Sequence, residues 1–285
     1  MNPPSPYRVA IVGVGLLGAS LGLALKARGL ASQVTGVGRR KVSLDTALAL
    51  GAIDAVAPSP EEAAAEADLL VVATPAALVT SILDEVGSVN NPGLVVTDVA
   101  STKALICRHA AATWAAPRRF VGAHPMAGGE KLGPENGRPD LYEGSVCLVE
   151  ESPSLDPDAR AAVCRLWESV GARVVSVEPE KHDPILARTS HLPHVVASAV
   201  AAIAAESGAS QSFVGNGFRD LTRIADSPFE MWRDICLTNR AALLESLAGF
   251  DARMREFAAL LAAGDAAGLD AFFEQGREGR RKVLA

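Results

Sequence analysis

Residues 8–18 read Arg8-Val9-Ala10-Ile11-Val12-Gly13-Val14-Gly15-Leu16-Leu17-Gly18, and their order decides the fold. A short apolar run, rich in β-branched side chains, has the character of a buried strand. Three glycines spaced G-x-G-x-x-G follow it at once, and Leu21, Ala24 and Leu25 then share one helical face up to Gly29. Strand, glycine turn and helix in that order form the dinucleotide-binding fingerprint. Gly13 permits the tight turn, Gly15 lets backbone approach a pyrophosphate, and Gly18 lets helix and strand pack closely. Gly13, Gly15, Leu16, Leu17 and Gly18 are therefore the expected cofactor cradle, with the pyrophosphate on the free amides of the helix N-terminus.

The same alternation continues outward from this unit. Residues 33–37 make a second strand that ends in Gly38-Arg39-Arg40. An NAD site places Asp or Glu about 20 residues past the glycines, to bind the ribose 2′-OH. Here two guanidinium groups stand instead, and a guanidinium pairs with phosphate through a planar fork. Arg39 and Arg40 thus favour NADP, with NAD the alternative if they are only solvated turn residues. Ser59-Pro60-Glu61-Glu62 is a capping-box helix start. The buried strand 69–73 ends in Thr74-Pro75, at the edge where open α/β sheets handle their ligands. Residues 94–98 repeat the pattern, followed by Val99-Ala100-Ser101-Thr102-Lys103 and a helix to about Ala115. Strands at 120–123, 145–149 and 173–177, with a helix begun at Asp156-Pro157, complete a doubly wound, mostly parallel α/β sheet. The expected Rossmann-like domain is residues 1–178.

Within it, Val121-Gly122-Ala123-His124-Pro125-Met126-Ala127-Gly128 carries a histidine out of a buried strand just before a proline. Pro125 keeps His124 out of helical geometry, so the imidazole is expected at a strand tip. A side chain with a pKa near neutrality suits proton chemistry there, although a lone histidine is often only a bonded loop residue. Residues 128–139 are rich in Gly and Pro and read as a lid, a binding loop or a plain surface excursion.

Past Lys181 the pattern becomes helical to the end, giving an all-α domain over 179–285. One long apolar helix is predicted over 184–206, with His191 and His194 three apart on one face. Ser227-Pro228-Phe229-Glu230 is a second capping box, opening a helix predicted to pass Phe250. These helices are too apolar for a lone appendage, which points to burial against a second copy of the chain, a homodimer.

The 285 residues carry a net charge of −6, with 49% hydrophobic and 21% charged residues. That is a globular composition, and its acidity argues against a nucleic-acid surface. Residues 195–205, the longest apolar run on a predicted helix, are too short to span a membrane. Met1 to Tyr7 has two adjacent prolines and no apolar core, unlike a signal peptide, so a cytoplasmic protein is expected. Cys107, Cys147, Cys164 and Cys236 are scattered without a C-x-x-C, as buried reduced thiols are; no metal site is expected.

Five stretches in order carry a resemblance: the glycine turn, Asp98-Val99-Ala100-Ser101-Thr102-Lys103, Gly122-Ala123-His124-Pro125-Met126-Ala127-Gly128-Gly129-Glu130, Ser190-His191-Leu192-Pro193-His194, and Gly217-Phe218-Arg219-Asp220-Leu221-Thr222-Arg223-Ile224-Ala225. Together they resemble the prephenate/arogenate dehydrogenases of tyrosine biosynthesis, over nearly the whole chain. The resemblance implies a Rossmann-like domain followed by a helical dimerisation domain. It implies an oxidative decarboxylation, in which hydride passes from ring C4 to a nicotinamide, CO2 leaves and the ring becomes aromatic. His124 matches the family's catalytic base. Ser101 matches the serine that orients that histidine near the nicotinamide, and it is also a candidate helix N-cap. Arg223 matches the arginine that binds the anionic substrate and, between Thr222 and Ile224, is expected to be partly buried; Arg219 reads as a surface charge. His191 and His194 match pocket positions, although two histidines on an apolar helix also suit core groups or metal ligands. Glu130 and His182 match positions near the cleft, and Trp232 reads as packing. Asp226 is a candidate partner for the ammonium that distinguishes arogenate from prephenate. Two other readings stay open: another NADP-linked dehydrogenase with a helical dimer domain, such as a hydroxy-acid or imine reductase, and a non-catalytic NADP-binding sensor. The set Ser101, His124 and Arg223 discriminates, because a sensor needs neither a neutral base nor an anion clamp.

Overall fold

Residues 9–12 and 69–72 are buried on both faces, and such strands belong at the centre of a helix-covered parallel sheet. The computed structural model, which describes residues 7–129, 131–208 and 210–285, places them side by side. Its first half runs β1 (Tyr7–Val12), α1 (Leu16–Ala27), β2 (Ala31–Val37), α2 (Lys41–Ala49), β3 (Ala55–Val56), α3 (Pro60–Glu66), β4 (Leu69–Val72), α4 (Ala76–Gly87), β5 (Val95–Asp98), α5 (Ala104–Thr113) and β6 (Phe120–Val121). These six strands form one parallel sheet in the order β3-β2-β1-β4-β5-β6. The order reverses between β1 and β4, which opens the crevice where such sheets bind ligands. Val9 and Ile11 pack into the core on one face, Ala10 and Val12 into the core on the other.

The predicted single sheet through residue 178 needs a correction. After β6 the chain turns at Gly122 into β7 (Ala123–Pro125), which pairs antiparallel with β8 (Val146–Glu150) in a separate three-stranded sheet. α6 (Pro157–Ser169) then leads to β9 (Arg173–Val177), parallel to β8. His124 therefore lies within a short edge strand opposite Leu148, not at the tip of the large sheet. The bend has a chemical cause. The Gly122 N–H donates to Glu150 Oε2 at 3.0 Å and its carbonyl accepts from the Glu150 amide at 2.8 Å. Glu150 is itself buried against Arg118 through two bonds of 2.5 and 3.2 Å. A Cβ at Gly122 would stand 2.7 Å from the Cys107 sulfur, so only glycine fits the bend. Pro125 is tolerated because β7 is an edge strand.

The helical half comprises α7 (Pro179–Leu186), a π-helical turn (Ala187–His191), α8 (Leu192–Glu206), α9 (Asn216–Thr222), a 3-10 turn (Arg223–Asp226), α10 (Phe229–Thr238), α11 (Arg240–Ala263) and α12 (Ala266–Leu284). The helix predicted over 184–206 instead begins at Pro179 and is interrupted by the wide turn. Pro193 has no N–H for the carbonyl four residues back and its ring crowds that carbonyl, which favours a loosened turn ahead of it. The helix predicted to run from the Ser227 box past Phe250 breaks at Asn239, and no side chain caps α10, so Ser227 does not form the expected box. By contrast, Ser59 does cap α3, accepting from the Glu62 amide at 3.2 Å. α8 is strongly apolar, yet Ala197 is its sole buried residue in the single chain. Phe213, Phe229 and Phe273 are also largely exposed. Among the described residues no helix is long and apolar enough to cross a membrane.

Candidate active site

The glycine turn can be tested position by position. A Cβ on Gly13, whose φ is +99°, would stand 2.5 Å from the Ala73 carbonyl oxygen, so the turn is wedged against the end of β4. A Cβ on Gly18 would meet the Gly13 carbonyl oxygen at 2.2 Å, which fixes the close approach of α1 to β1. A Cβ on Gly15 would meet nothing within 4 Å. Gly13 and Gly18 are thus required by the protein's own packing, whereas Gly15 faces open space at the uncapped N-terminus of α1. That is the cradle a dinucleotide pyrophosphate fits. Leu16 is buried and Leu17 partly so, within the first turn of α1. Thr74 sits beside Gly13, and its hydroxyl oxygen is buried without a partner among the described residues; Pro75 is exposed next to it. Arg39 and Arg40 lie exposed just past β2, and neither guanidinium bonds a described residue.

In the segment after Gly129, residues 137–142 are fastened to α1. The Arg138 amide donates to Ser20 Oγ at 3.1 Å, and the Tyr142 hydroxyl donates to the Leu17 carbonyl at 2.8 Å. A Cβ on Gly137 would touch Ala19 at 3.0 Å, and one on Gly129 would touch Leu16 at 3.4 Å. Gly129 and residues 137–142 therefore lie against the first turns of α1, next to the cradle.

His124 is 7% exposed, and its Nδ1 is 2.9 Å from His182 Nε2. His182 is fully buried, and its Nδ1 is 2.7 Å from Asp183 Oδ1. The Asp183 carboxylate accepts from the Lys103 amide at 2.7 Å and the Ala104 amide at 3.1 Å, so it caps the N-terminus of α5. Burial opposes its charge, but the bonds from His182 and these amides outweigh burial and hold its carboxyl below the usual range. Lys103 is buried with its Nζ on the Asp98 carboxylate, which also accepts from the Ala100 and Ala123 amides at 3.0 Å each. Burial pushes the His124 pKa well down, and His182, Lys103 and His191 push the same way. His124 is consequently neutral at ordinary pH, as a base must be.

The helical half reaches this cluster through Asn239. Its side-chain amide donates to the Asp183 carbonyl at 2.8 Å and lies 3.1 Å from His191 Nδ1. His191 is buried, and burial lowers its pKa to about 4. His191 packs edge-on against Trp232 at 6.1 Å, while His194 stacks on the same indole at 3.5 Å. Trp232 thus packs, as expected, but it packs against the histidines of the site. The pKa of His194 is lowered, chiefly by burial and further by the charge of Arg223, which places Arg223 near it. Arg223 is exposed rather than partly buried, because it opens a surface 3-10 turn; Asp226 closes that turn and is exposed too.

The sequence expectations divide accordingly. The structure joins His124, His182, His191 and His194 in one chain of contacts, with Arg223 beside its far end. His182 is enclosed behind His124, so it reaches a bound molecule only through that ring. Ser101 is half-buried and does not cap α5, since Asp183 does; its hydroxyl bonds no described residue. Glu130 lies outside the described residues. No group of three His, Cys, Asp or Glu among the described residues is arranged to hold a metal. Burial raises the pKa of all four thiols, so none is poised as a nucleophile. Asp183, Asn239 and Lys103 escaped the sequence reading as site residues. Only the adjacency of Asp183 to His182 hinted at the first, and nothing local marks the second.

Comparison with known proteins follows this geometry. Residues 21–176 match the family model described as prephenate dehydrogenase, nucleotide-binding domain, and residues 178–275 match prephenate dehydrogenase, dimerization domain. A prephenate dehydrogenase of Bacillus subtilis is 33% identical over 256 residues, covering 87% of this chain and 67% of the relative. The crystal structure of prephenate dehydrogenase from Aquifex aeolicus with hydroxyphenyl propionate and NAD+ superposes with a TM-score of 0.89 at 29% identity, covering 99% of this chain and all of the other. The Synechocystis arogenate dehydrogenase structure gives 0.81 at 27% identity, covering 97% and 99%.

The cradle geometry makes a separable prediction. Gly15→Val should lower the unfolding free energy by only about 1 kcal/mol, the scale of a disfavoured N-cap residue, while abolishing dinucleotide binding measured by titration calorimetry. Retained binding would remove Gly15 from the cofactor site.

Proposed function

The chain belongs to the prephenate dehydrogenase family, and on that premise we propose how its own residues carry out the family's reaction. It is an oxidoreductase that oxidatively decarboxylates prephenate and/or arogenate with a nicotinamide dinucleotide, a step of tyrosine biosynthesis. The observation that carries the residue assignment is a buried, neutral imidazole at His124, on the edge strand β7 from which the chain runs on to pack against the helix of the glycine cradle.

The bound nicotinamide supplies the hydride acceptor. His124 takes the proton of the ring hydroxyl as hydride leaves C4, and returns it to the phenolate oxygen after CO2 loss has made the ring aromatic. Aromatisation drives the reaction, so the protein's part is to position, to polarise and to exclude water. Ser101, whose hydroxyl just ahead of α5 bonds no described residue, orients His124 near the nicotinamide. Arg223 binds a substrate carboxylate with its planar fork, and His191 and His194, stiffened by Trp232, wall the pocket between them. Glu130 is assigned to the same cleft through its place in the motif after His124. Gly13, Gly15, Leu16, Leu17, Gly18, Thr74 and Pro75 hold the dinucleotide. The exposed apolar surface of α8, with Phe213, Phe229 and Phe273, supports a homodimer built through the helical half.

The central test is His124→Asn, which should keep dinucleotide affinity while cutting kcat by about 10²–10⁴, the share of a positioned acid–base group. Turnover near the parent rate would show that another group takes the proton.

For the cofactor, we infer a preference for NADP from two guanidiniums that bond no described residue, Arg39 and Arg40, where the sequence offers no carboxylate at the end of β2. The double variant Arg39→Ala, Arg40→Ala should weaken NADP by roughly tenfold or more, since one charge-assisted contact contributes about 1.5–3 kcal/mol, and should barely affect NAD. Equal changes in KM for the two cofactors would make both residues ordinary turn residues.

For the substrate, the reacting ring is the same in prephenate and arogenate, so His124 and Ser101 do not choose between them. Asp226, on the same turn as Arg223, is the carboxylate placed to meet an ammonium. Asp226→Asn should lower kcat/KM for arogenate and leave prephenate equal or improved. An unchanged ratio of the two values would take Asp226 out of the site.

A further inference from the structure

Three side chains in a row, all buried, connect His124 to the N-terminus of α5: His124, His182 and Asp183, with gaps of 2.9 and 2.7 Å. The direction of each hydrogen bond can be worked out from the fixed end. Asp183 is held ionised by two backbone amides at a helix N-terminus, where the helix dipole favours negative charge. An ionised carboxylate only accepts, so His182 Nδ1 must carry a proton and donate it. In a neutral His182, Nε2 is then a bare lone pair. It faces His124 Nδ1 at hydrogen-bond distance, so His124 must carry its proton on Nδ1. The remaining nitrogen of His124, Nε2, is left as the unprotonated atom. It is the one ring nitrogen of the row that no described residue occupies.

We propose that His182 and Asp183 are positioning residues for the proton transfer: they fix His124 in the tautomer whose Nε2 is the base, and they carry the positive charge while the proton is on loan. The proposal rests on the reading of His124 as the base. The atoms balance without another reactant. As hydride leaves C4, the substrate O–H bond breaks and an N–H bond forms at His124 Nε2. The Nδ1 proton of His124 can then pass to His182 Nε2, leaving His124 neutral and placing the imidazolium on His182 against the Asp183 carboxylate. When CO2 loss has produced the phenolate, both protons step back and the resting tautomers are restored. His182 has no exposed surface, and its two ring nitrogens face His124 and Asp183. Lys103, whose charge is committed to Asp98 beside this row, disfavours a permanent imidazolium at His124. The row thus needs a carboxylate behind it to make a transient one acceptable.

The experiment combines a direct reading of the tautomer with a pair of variants. In protein labelled with ¹⁵N histidine, two-bond ¹⁵N–¹H correlation spectra of the full-length dinucleotide-free enzyme distinguish a protonated Nδ1 from a protonated Nε2, with His124→Asn and His182→Gln identifying the signals. His124 is expected to be protonated on Nδ1 and bare on Nε2. His182→Leu, which cannot accept from His124, should mix the His124 tautomers and lower kcat by roughly 10²–10⁴, the scale on which a wrong base tautomer is felt in serine proteases, with the KM for dinucleotide unchanged. His182→Gln, whose amide oxygen can accept the Nδ1 proton, should restore the single tautomer and recover at least tenfold of the lost kcat. A parent enzyme with His124 protonated on Nε2 overturns the proposal, and so does a leucine variant whose tautomer and kcat match the parent. If His124→Asn proves active while the Nδ1 tautomer is observed, the tautomer assignment stands and the reading of His124 as the base is what fails.

Discussion

The carboxylate of Asp183, seated on the N-terminus of α5, is the contact on which the rest of the site depends. It lies about 80 residues along the chain from the amides it accepts, one from Lys103 and one from Ala104. One oxygen also takes the bond from His182. The backbone carbonyl of the same residue accepts from Asn239, at the break between α10 and α11. A single residue therefore ties together the start of α5 just past the parallel sheet, the helix that enters the second half and the break between α10 and α11. Hydrogen bonds to a charged group contribute about 1.5–3 kcal/mol each, and an amide left unpartnered in the interior costs on the order of 1–3 kcal/mol. Loss of this carboxylate would be felt as a loosening of both halves as well as of His182.

Two buried ion pairs flank the bend that carries His124. Arg118 with Glu150 closes one side of Gly122, and Lys103 with Asp98 supports the amide of Ala123 on the other. Burying such pairs costs several kcal/mol per ion before their attraction repays it, so they are poor devices for stability alone. What they accomplish here is geometric. Glu150 accepts from the Gly122 amide and the Arg118 guanidinium, and Asp98 from the Ala100 and Ala123 amides and the Lys103 ammonium. The chain is held where it leaves the parallel sheet and enters the small one, and the imidazole is delivered beside His182.

The helical half contributes a second, softer kind of order. His191 and His194 lie on either side of the point where the π turn gives way to α8, and one indole, Trp232, contacts both. Extra backbone at a π turn rotates the following residues relative to the preceding ones, and such turns recur at functional sites. The two histidines therefore do not project as a plain helix would place them. His191 turns inward to Asn239, while His194 stays on the indole near Arg223.

The sequence by itself determined the parallel sheet, the glycine cradle, the change to helices near residue 178 and the identity of His124 as a residue of interest. These were legible because their causes are local: glycine spacing, apolar runs of strand length, proline and capping residues within a few positions. It also marked His191 and His194, which the structure joins to the His124 cluster, through a motif confined to a few neighbouring positions. The tertiary structure alone decided that His124 belongs to a second sheet, that Asp183 rather than Ser101 caps α5, that His182 stands behind the base instead of in the pocket, and that Arg223 is exposed. The first three depend on a partner about 30 to 80 residues away: Glu150 for Gly122, Asp183 for Lys103, His182 for His124. A buried polar group must find its partner wherever the fold supplies one, and the chain's local pattern carries no record of which distant residue that is.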